Sequence, residues 1–335
     1  MNVTIIGDGA MPTVSSILLA DNDHAVRVWG FFPEIIAELK QSRENRRYLP
    51  GVSFPDTVYF TADEAEAFAA ADIILAGTPT QYIRPTWRRL AKHCPPGIPI
   101  VSVAKGIEND TLLRPTQILA DVLGERVGPL AALSGPNIAR EIAAHKVATA
   151  TVAAADTELA HTVQKLFSTP TFRVYTSPDL TGVELGGAVK NVIAIAAGIL
   201  DGLDAGDNAK AALLTRGLVE ITRLGVAMGA RRDTFAGLSG LGDLVTTCVS
   251  PHGRNRSFGE AIGRGRAVAE ALAATNSVVE GVATTRSVLA LARREGVEMP
   301  ITRAVGEVLF AGKAPARAIA ELMTRRPKAE DAEWA

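Results

Sequence analysis

Cysteine is scarce in this sequence of 335 residues, which contains only Cys94 and Cys248. These two do not have the spacing of a disulfide framework or of a metal-ligand pair. The five histidines are scattered along the chain, outside any ligand motif. We therefore expect no disulfide bonds and no bound metal.

An excess of one charge is also missing, since the formal net charge is -1 at pH 7. Nothing therefore indicates nucleic acid or an anionic membrane as a partner. The N-terminal residues lack the basic segment and the long apolar segment of a signal peptide. We find no apolar run of the ~20 residues that span a bilayer. A cytoplasmic protein without membrane insertion is expected.

The first half of the chain alternates short apolar runs with helix-length segments, a pattern typical of a mostly parallel sheet covered by helices on both faces. The predicted strands are Val3–Ile6, Ala25–Trp29, Asp72–Ala76, Pro99–Ala104, Leu130–Leu133, Ala148–Ala153 and Phe172–Tyr175. The helix-length segments include Val14–Leu19, Pro33–Gln41, Tyr82–His93, Leu113–Leu123 and Glu158–Phe167.

The pattern changes after about residue 178, where the segments become long and helical and no strand is predicted beyond Thr176. The predicted helices there are Leu180–Leu203, Ala209–Met228, Arg256–Ile262, Glu280–Glu295 and Ala304–Leu309. With 47% hydrophobic residues, the chain can form two cores. We predict an α/β dinucleotide-binding domain of the Rossmann type at 1–178 and an all-α domain at 179–335.

The first strand leads directly into Gly7-Asp-Gly9, and a helix is predicted shortly afterwards. Two such glycines suit a tight turn and a close approach of the backbone to a pyrophosphate, which the N–H groups of the helix would face. Pro12 stands where the third glycine of the fingerprint is expected, and it removes one donor. The same short motif also occurs as a simple strand–helix turn.

The second strand ends at Trp29-Gly30-Phe31 without the acidic residue that usually binds the ribose hydroxyls of NAD. Arg43, Arg46 and Arg47 follow, and they could reach the 2′-phosphate of NADP or could simply be a solvated helix end. We predict that NADP is tolerated, and that both cofactors are possible.

Lys190 is the most informative residue of the sequence. It is the only charged residue in the apolar segment Leu185–Leu200, which predicts a buried helix. Burial without a partner lowers the pKa of a lysine, and a pKa of ~7–8 suits a general base. Gly186 and Gly187 indicate that another backbone or a ligand comes close. The alternative is a lysine that reaches the surface or pairs with Glu184.

Two further segments could bind an anion or a hydroxyl. Asp243 follows a glycine-dense loop and could cap a helix, bind a hydroxyl or position Lys190. The turn 252–257 concentrates Arg254, Asn255 and another arginine, which suits a phosphate or could be a basic surface turn. Lys105 and the segment Ser134-Gly-Pro-Asn137 each follow a predicted strand, where α/β sheets bind ligands.

Taken together, these segments resemble the bacterial-type NAD(P)-dependent glycerol-3-phosphate dehydrogenase family over nearly the whole chain. The matching segments are Ala104-Lys-Gly106, Ser134-Gly-Pro136, Phe172-Arg-Val-Tyr175, Gly182–Ala194, Gly240-Leu-Gly-Asp-Leu244, Gly253–Gly259 and Val278-Val-Glu-Gly281. The resemblance implies NAD or NADP as cofactor and a small phosphorylated substrate. It also implies a homodimer and a supply of glycerol 3-phosphate for phospholipid synthesis.

The resemblance also assigns residues. Lys190 would be the general acid/base. The substrate positions are Lys105, Gly135, Asn137, Lys190, Asp243, Gly253, Arg254 and Asn255. The cofactor positions are Gly7, Gly9, Ala10, Met11, Phe31, Lys105, Ala139, Arg254, Val278 and Glu280.

The departures from the family pattern lie mainly in the cofactor loop, where Ala10-Met11-Pro12 replaces Ser-(Trp or Tyr)-Gly. Phe31 also stands where a basic or polar residue is common, Asn137 where Thr or Ser is, and Gly253 where Ser is. Two other functions stay open. One is a hydroxy-acid dehydrogenase of the same architecture, because a carboxylate would also suit the arginine turn. The other is a non-catalytic paralogue that binds a phosphorylated metabolite.

Overall fold

The computed structural model describes residues 1–275, 278–327 and 329–330. The chain forms two units, each with its own hydrophobic core. The first unit contains residues 1–104 and 115–180, and the second contains residues 105–114 and 181–335. The short segment 105–114 therefore belongs to the second unit although it lies between two parts of the first.

The first unit is built on one eight-stranded sheet in the order β3-β2-β1-β4-β5-β6-β7-β8. Its strands are β1 (Asn2–Ile6), β2 (Ala25–Trp29), β3 (Val58–Thr61), β4 (Ile73–Ala76), β5 (Ile100–Ser102), β6 (Leu130–Ser134), β7 (Ala148–Ala154) and β8 (Phe172–Ser177). All neighbouring strands are parallel except the antiparallel pair β6 and β7. The predicted mostly parallel sheet is thus confirmed.

Seven α-helices accompany this sheet in the described part of the first unit. They are α1 (Ala10–Asp21), α2 (Pro33–Ser42), α3 (Glu64–Ala67), α4 (Thr80–Leu90), α5 (Pro115–Leu123), α6 (Ala139–Ala143) and α7 (Thr157–Phe167). Strand order reverses between β1 and β4, and the carboxyl ends of parallel strands at such a point form the ligand-binding edge of a dinucleotide-binding sheet.

The first unit differs from the prediction in several details, and the short helices α3 and α6 were not predicted. Strand β3 was not predicted, because it has only four residues on an edge, is preceded by Pro55, and leaves Tyr59 exposed. Helix α1 begins at Ala10, directly after Gly9, whereas its periodic pattern predicts a start at Val14. The early start places the first helical turn beside the glycine loop.

The second unit is helical in its described part, and it has no strand there, as predicted. Its helices are α8 (Leu180–Gly202), α9 (Gly206–Ala227), α10 (Asp243–Val249), α11 (Arg254–Gly263), α12 (Val268–Ala273), α13 (Glu280–Arg294), α14 (Pro300–Ala311) and α15 (Pro315–Met323). A short 3-10 helix, Arg232–Ala236, and a π-helical turn, Leu238–Gly242, precede α10.

Helix α8 is the centre of the second core, with 19 residues buried in succession from Gly182 to Leu200. By length and composition it could cross a membrane, which corrects the expectation that no apolar segment is so long. However, 94% of its apolar window is buried inside the protein, as in the core helix of a soluble fold. The predicted buried helix is confirmed.

Glycines let α8 approach its neighbours at backbone distance. A Cβ atom on Gly198 would lie 1.9 Å from the carbonyl oxygen of Arg256, and one on Gly259 would lie 2.1 Å from that of Ile195. A Cβ on Gly186 would lie 2.5 Å from the carbonyl oxygen of Ser239. The close approach predicted from Gly186 is therefore to another backbone, and it holds the turns before α10 and the start of α11 against α8.

Candidate functional site

Lys190 lies in the buried stretch of α8, and only 5% of its surface is exposed. Its ammonium group donates hydrogen bonds to the carboxylate of Asp243 and, at 2.7 Å, to the hydroxyl of Thr247. The alternative partner, Glu184, is instead bound to Arg114. Lys190 is therefore a buried cation held by residues of a different helix, and it does not reach the surface.

Asp243 is the first residue of α10 and is almost completely buried. It does not cap the helix, because the N-cap is Gly242 and makes no side-chain bond. One carboxylate oxygen accepts from Lys190, and the other accepts from the ammonium group of Lys105 at 2.7 Å. A single carboxylate thus bridges two lysines, so the cluster carries one uncompensated positive charge when both lysines are protonated.

Burial lowers the pKa of Lys190 from its usual 10.5 to about 8. The charge of Asp243 acts in the opposite direction, and the charge of Lys105 lowers the pKa further. A lysine with this pKa exists in both protonation states near neutral pH. It can therefore accept a proton from a hydroxyl and return it.

A chain of side-chain amides lies beside this cluster in the second unit. The amide of Asn191 donates to the carbonyl of Lys105 at 3.1 Å, and that of Asn255 donates to the side-chain oxygen of Asn191 at 3.0 Å. The backbone N–H of Gly281 in turn donates to the side-chain oxygen of Asn255 at 3.0 Å. These bonds fix Lys105, the start of α11 and the start of α13 relative to one another.

The turn before α11 presents a helix N-terminus together with an exposed guanidinium. The N–H groups of the first helical turn have no partner within the helix. Because the N-cap is Gly253, no capping side chain binds them either. Arg254 is exposed and contacts the carbonyl of Val278 only at 3.4 Å. In contrast, Arg256 is occupied by Asp201. The turn can therefore accept an anion.

The glycine loop of the first unit follows β1. Gly7 has a φ of +118°, and a Cβ atom there would lie 3.1 Å from the backbone carbon of Gly77. Gly9 is the N-cap of α1 and makes no side-chain bond, and Ala10 and Met11 are its first residues. The backbone therefore turns tightly, and it presents N–H groups of a helix without intrahelical partners, as a pyrophosphate requires.

Pro12 fits this loop because Gly77 makes room for it. A Cβ atom on Gly77 would lie 2.5 Å from Cγ of the proline ring. In the usual fingerprint the third glycine allows the helix and the sheet to pack closely. Here the small residue is at the end of β4 and the bulky one is on the helix, so close packing is kept although a donor is lost.

The remaining cofactor candidates of this unit lie at the carboxyl ends of strands. Phe31 follows β2, is 42% exposed, and lies under the guanidinium of Arg89 at 4.8 Å. Ala139 begins the short helix α6. Of the substrate candidates, Gly135 has a φ of +147°, and Asn137 donates to the carbonyl of Thr149 at 3.0 Å.

The three arginines after β2 are used differently. Arg43 donates to the carbonyls of Pro55 and Val58, so it cannot reach a phosphate in this arrangement. Arg46 is exposed and pairs with Glu44. Arg47 is exposed and lies over the ring of Tyr48 at 5.2 Å. Within the described residues, no group of three or more His, Cys, Asp or Glu side chains is placed to hold a metal.

Known proteins resemble the chain over its full length. The family described as NAD-dependent glycerol-3-phosphate dehydrogenase matches with its N-terminal part at residues 2–160 and with its C-terminal part at residues 179–320. This chain belongs to that family. The relative named glycerol-3-phosphate dehydrogenase [NAD(P)+] from Chlorobium limicola is 47% identical over 98% of this chain and 99% of its own.

A second relative of the same name, from Geobacter sp., is 48% identical over 98% of both chains. Among solved structures, glycerol-3-phosphate dehydrogenase from Coxiella burnetii is 35% identical and superposes with a TM-score of 0.93. That likeness covers 97% of this chain and 99% of the other. The family relationship thus includes both units and the fold of each.

Sequence reasoning did not select Thr247 or Asn191 as site residues. Thr247 lies one helical turn after Asp243, so it faces the same side of α10. That spacing is the signal that could have identified it. Asn191 is adjacent to Lys190 in a helix where every other neighbour is apolar, which is a comparable signal. Glu280 begins α13 next to Gly281, and Val278 is 37% exposed.

Proposed function

We propose that this protein catalyses the NAD(P)-dependent interconversion of sn-glycerol 3-phosphate and dihydroxyacetone phosphate. The observation that carries the proposal is the buried cluster in which Asp243 bridges Lys190 and Lys105. Membership of the glycerol-3-phosphate dehydrogenase family and the shared name of its relatives support the same reaction.

Lys190 is the proposed general acid/base. In the oxidation, neutral Lys190 takes the proton of the secondary hydroxyl while the hydride leaves the same carbon. In the reduction, protonated Lys190 stabilises the developing alkoxide and gives its proton to the oxygen. The lowered pKa of Lys190, about 8, keeps both forms accessible.

Asp243 and Lys105 have supporting roles in this proposal. Asp243 holds the ammonium groups of both lysines, and so it fixes the direction in which each can donate. Lys105 adds a positive charge that favours the neutral form of Lys190 and attracts an anionic substrate. Both residues also stand at substrate positions by resemblance to the family.

The phosphate group of the substrate is assigned to the turn at Gly253, Arg254 and Asn255. The exposed guanidinium of Arg254 and the helix N-terminus supply charge and directional donors. Asn255 has one amide hydrogen beyond the bond to Asn191. Gly135 and Asn137 are proposed substrate neighbours on the basis of their position after β6 alone.

The cofactor is assigned to Gly7, Gly9, Ala10 and Met11, whose backbone has the tight turn and the helix start that a pyrophosphate needs. Phe31, Ala139, Val278 and Glu280 are further cofactor candidates by resemblance. A bound nicotinamide supplies the hydride acceptor of the oxidation and the hydride donor of the reduction.

The test is the absorbance of NADH and NADPH at 340 nm with purified protein and dihydroxyacetone phosphate. We expect consumption that depends on the substrate, and a loss of about 10³-fold or more in kcat for Lys190→Ala, which removes the proton-transfer group. A folded Lys190→Ala variant with near-normal turnover would refute the role of Lys190. Turnover of a 2-keto acid in place of the phosphate ester would favour the hydroxy-acid alternative.

The physiological setting is part of the same proposal. The protein would act in the cytoplasm and supply glycerol 3-phosphate for phospholipid synthesis. We propose that it would do so as a homodimer. An apolar cleft of about 380 Å³ between α8, α9, α14 and α15 offers a surface on which a second subunit could pack. Sedimentation velocity at micromolar concentration would distinguish a dimer of about twice 35.2 kDa from a monomer.

A further inference from the structure

Asp8 is the middle residue of the glycine loop, and its carboxylate is partly buried. The N–H of Gly7 donates to the carbonyl of Trp29 at 2.8 Å, so the loop runs beside the end of β2. A Cβ atom built on Gly30 would lie 3.6 Å from Cβ of Asp8. The side chain of Asp8 therefore occupies the sheet edge directly after β2.

The position directly after β2 is Gly30, so it carries no acidic side chain. A Cβ atom on Gly30 would lie 2.5 Å from Cδ1 of Ile36, which is buried in the core under α2. NAD-selective sheets place Asp or Glu at this position to bind the ribose hydroxyls of the adenosine. In this protein the carboxylate at the same edge comes from the neighbouring loop instead.

The backbone of Asp8 is held in place by its surroundings. The side-chain amide of Asn45, which is buried, donates to the carbonyl of Asp8 at 2.7 Å and to the hydroxyl of Thr13 at 2.8 Å. Within the described residues, no basic side chain lies within ion-pairing distance of the Asp8 carboxylate. The backbone of Asp8 is thus fixed in place, and its carboxylate oxygens are available as acceptors.

Arginines around Asp8 could neutralise its charge and bind the 2′-phosphate of NADP. Two of the three nearby arginines are bound to other groups. Arg43 is bound to backbone carbonyls and stacked on Phe60 at 5.0 Å, and Arg46 is paired with Glu44. Only the exposed Arg47 acts on the charge of Asp8. A single exposed arginine over a tyrosine ring does not form a phosphate clamp.

We infer that Asp8 makes the protein selective for NAD(H) over NADP(H), by accepting hydrogen bonds from the adenosine ribose hydroxyls and repelling a 2′-phosphate. This inference rests on one part of the proposed function, namely that the protein binds a nicotinamide dinucleotide. The repulsion is electrostatic, and it replaces the missing acidic residue of β2. The sequence alone predicts that both NAD and NADP are possible cofactors, and the position of Asp8 favours NAD of the two.

The test is a binding measurement without substrate, in which the fluorescence enhancement of NADH and of NADPH gives a Kd for each. Wild-type protein is expected to bind NADH at least tenfold more tightly than NADPH. For Asp8→Asn we expect weaker NADH binding and stronger NADPH binding, so that the ratio of the two constants falls about tenfold or more. Glu34→Gln, an exposed carboxylate at the start of α2 on the same edge, is the matched control and should leave the ratio within about twofold.

A wild-type protein that binds both cofactors equally, or an unchanged ratio in Asp8→Asn, would overturn the inference. A ratio that falls in Glu34→Gln instead would overturn it as well, because Glu34 of α2 would then be the residue that discriminates NADH from NADPH. The proposed function fails separately: selective, Asp8-dependent NADH binding without turnover of dihydroxyacetone phosphate would refute the reaction and leave the inference standing. Binding of neither cofactor would refute both.

Discussion

The protonation of Lys190 depends on its burial and on two charged neighbours whose effects differ in sign. Burial and the charge of Lys105 favour the neutral amine, whereas Asp243 favours the ammonium ion. The result is a pKa of about 8. The two directions of the reaction require opposite protonation states of this one residue.

The pH dependence should therefore be opposite in the two directions. We expect kcat/KM for the oxidation to rise with pH through about 8, because neutral Lys190 is the base. For the reduction we expect kcat/KM to fall above about 8, because protonated Lys190 is the acid. Initial rates from pH 6 to 10 in both directions measure the two midpoints.

Substitutions of Asp243 and Lys105 test whether the midpoint of the pH profile reports the pKa of Lys190. Asp243→Asn removes a charge that raises the pKa of Lys190, so the midpoint should move to lower pH. Lys105→Met removes a charge that lowers the pKa, so the midpoint should move to higher pH. Shifts in the same direction for both variants would contradict this account of the cluster.

At this scale the sequence predicts which residues are unusual more readily than which residues they contact. Lys190 stands out because it is the one charge in an apolar helix. Its partner could not be chosen from the sequence, since Glu184 is close along the chain whereas Asp243 lies 53 residues away. Thr247 shares a face of α10 with Asp243, but its bond to Lys190 forms only when α10 packs against α8.

Among the helices, α14 shows how a buried carboxylate can stabilise an element. Glu220 on α9 is 3% exposed and accepts from the N–H groups of Ile301 at 2.5 Å and of Thr302 at 3.1 Å. It also accepts from the hydroxyl of Thr302 at 3.1 Å. These are the donors of the first turn of α14, which have no partner within the helix.

Glu220→Ala should therefore lower the free energy of unfolding by about 2–4 kcal/mol, because it leaves these buried donors without an acceptor. Urea denaturation followed by circular dichroism measures the change. Glu321→Ala is the comparison, since its ion pairs with Lys313 and Arg317 are exposed to solvent and should contribute little to stability. Equal losses in both variants would argue against the capping role.

The contact between β4 and α1 gives a second prediction at this scale. Gly77→Ala should cost about 1–3 kcal/mol of stability, because the new methyl group would lie 2.5 Å from the ring of Pro12. Pro12→Ala in the same chain should restore most of the loss. Unfolding free energies of the two single variants and the double variant give the coupling, and additive effects would show that the two residues do not depend on each other.

The strands and helices with strong patterns were predictable because both faces of the sheet and all sides of α8 are buried, which makes their sequences continuously apolar. Most of the elements that were missed are short, although α15, which was also missed, has nine residues. Strand β3 and helix α12 have four and six residues, too few for a period to appear. Contacts with the rest of each unit, rather than local propensity, determine such elements.

In the molecule as a whole, the glycine loop and Lys190 belong to different units with separate cores. Cofactor binding and proton transfer should therefore be separable by mutation. We expect NADH at about 100 times its Kd to stabilise Lys190→Ala as much as wild type, by about 2.7 kcal/mol. Thermal unfolding with and without NADH measures this, and a lost response in the variant would mean that Lys190 contributes to cofactor binding.

The segment 105–114 has a consequence for building hybrids of this protein with its relatives. Lys105 binds Asp243, Arg114 binds Glu184, and Ile107 lies in the second core. A chimera joined at a single point near residue 178 would therefore take ten residues of its second unit from the wrong parent. Exchange of the second unit as a working module requires residues 105–114 to be transplanted together with the C-terminal half, although 66 residues of the first unit separate them in the chain.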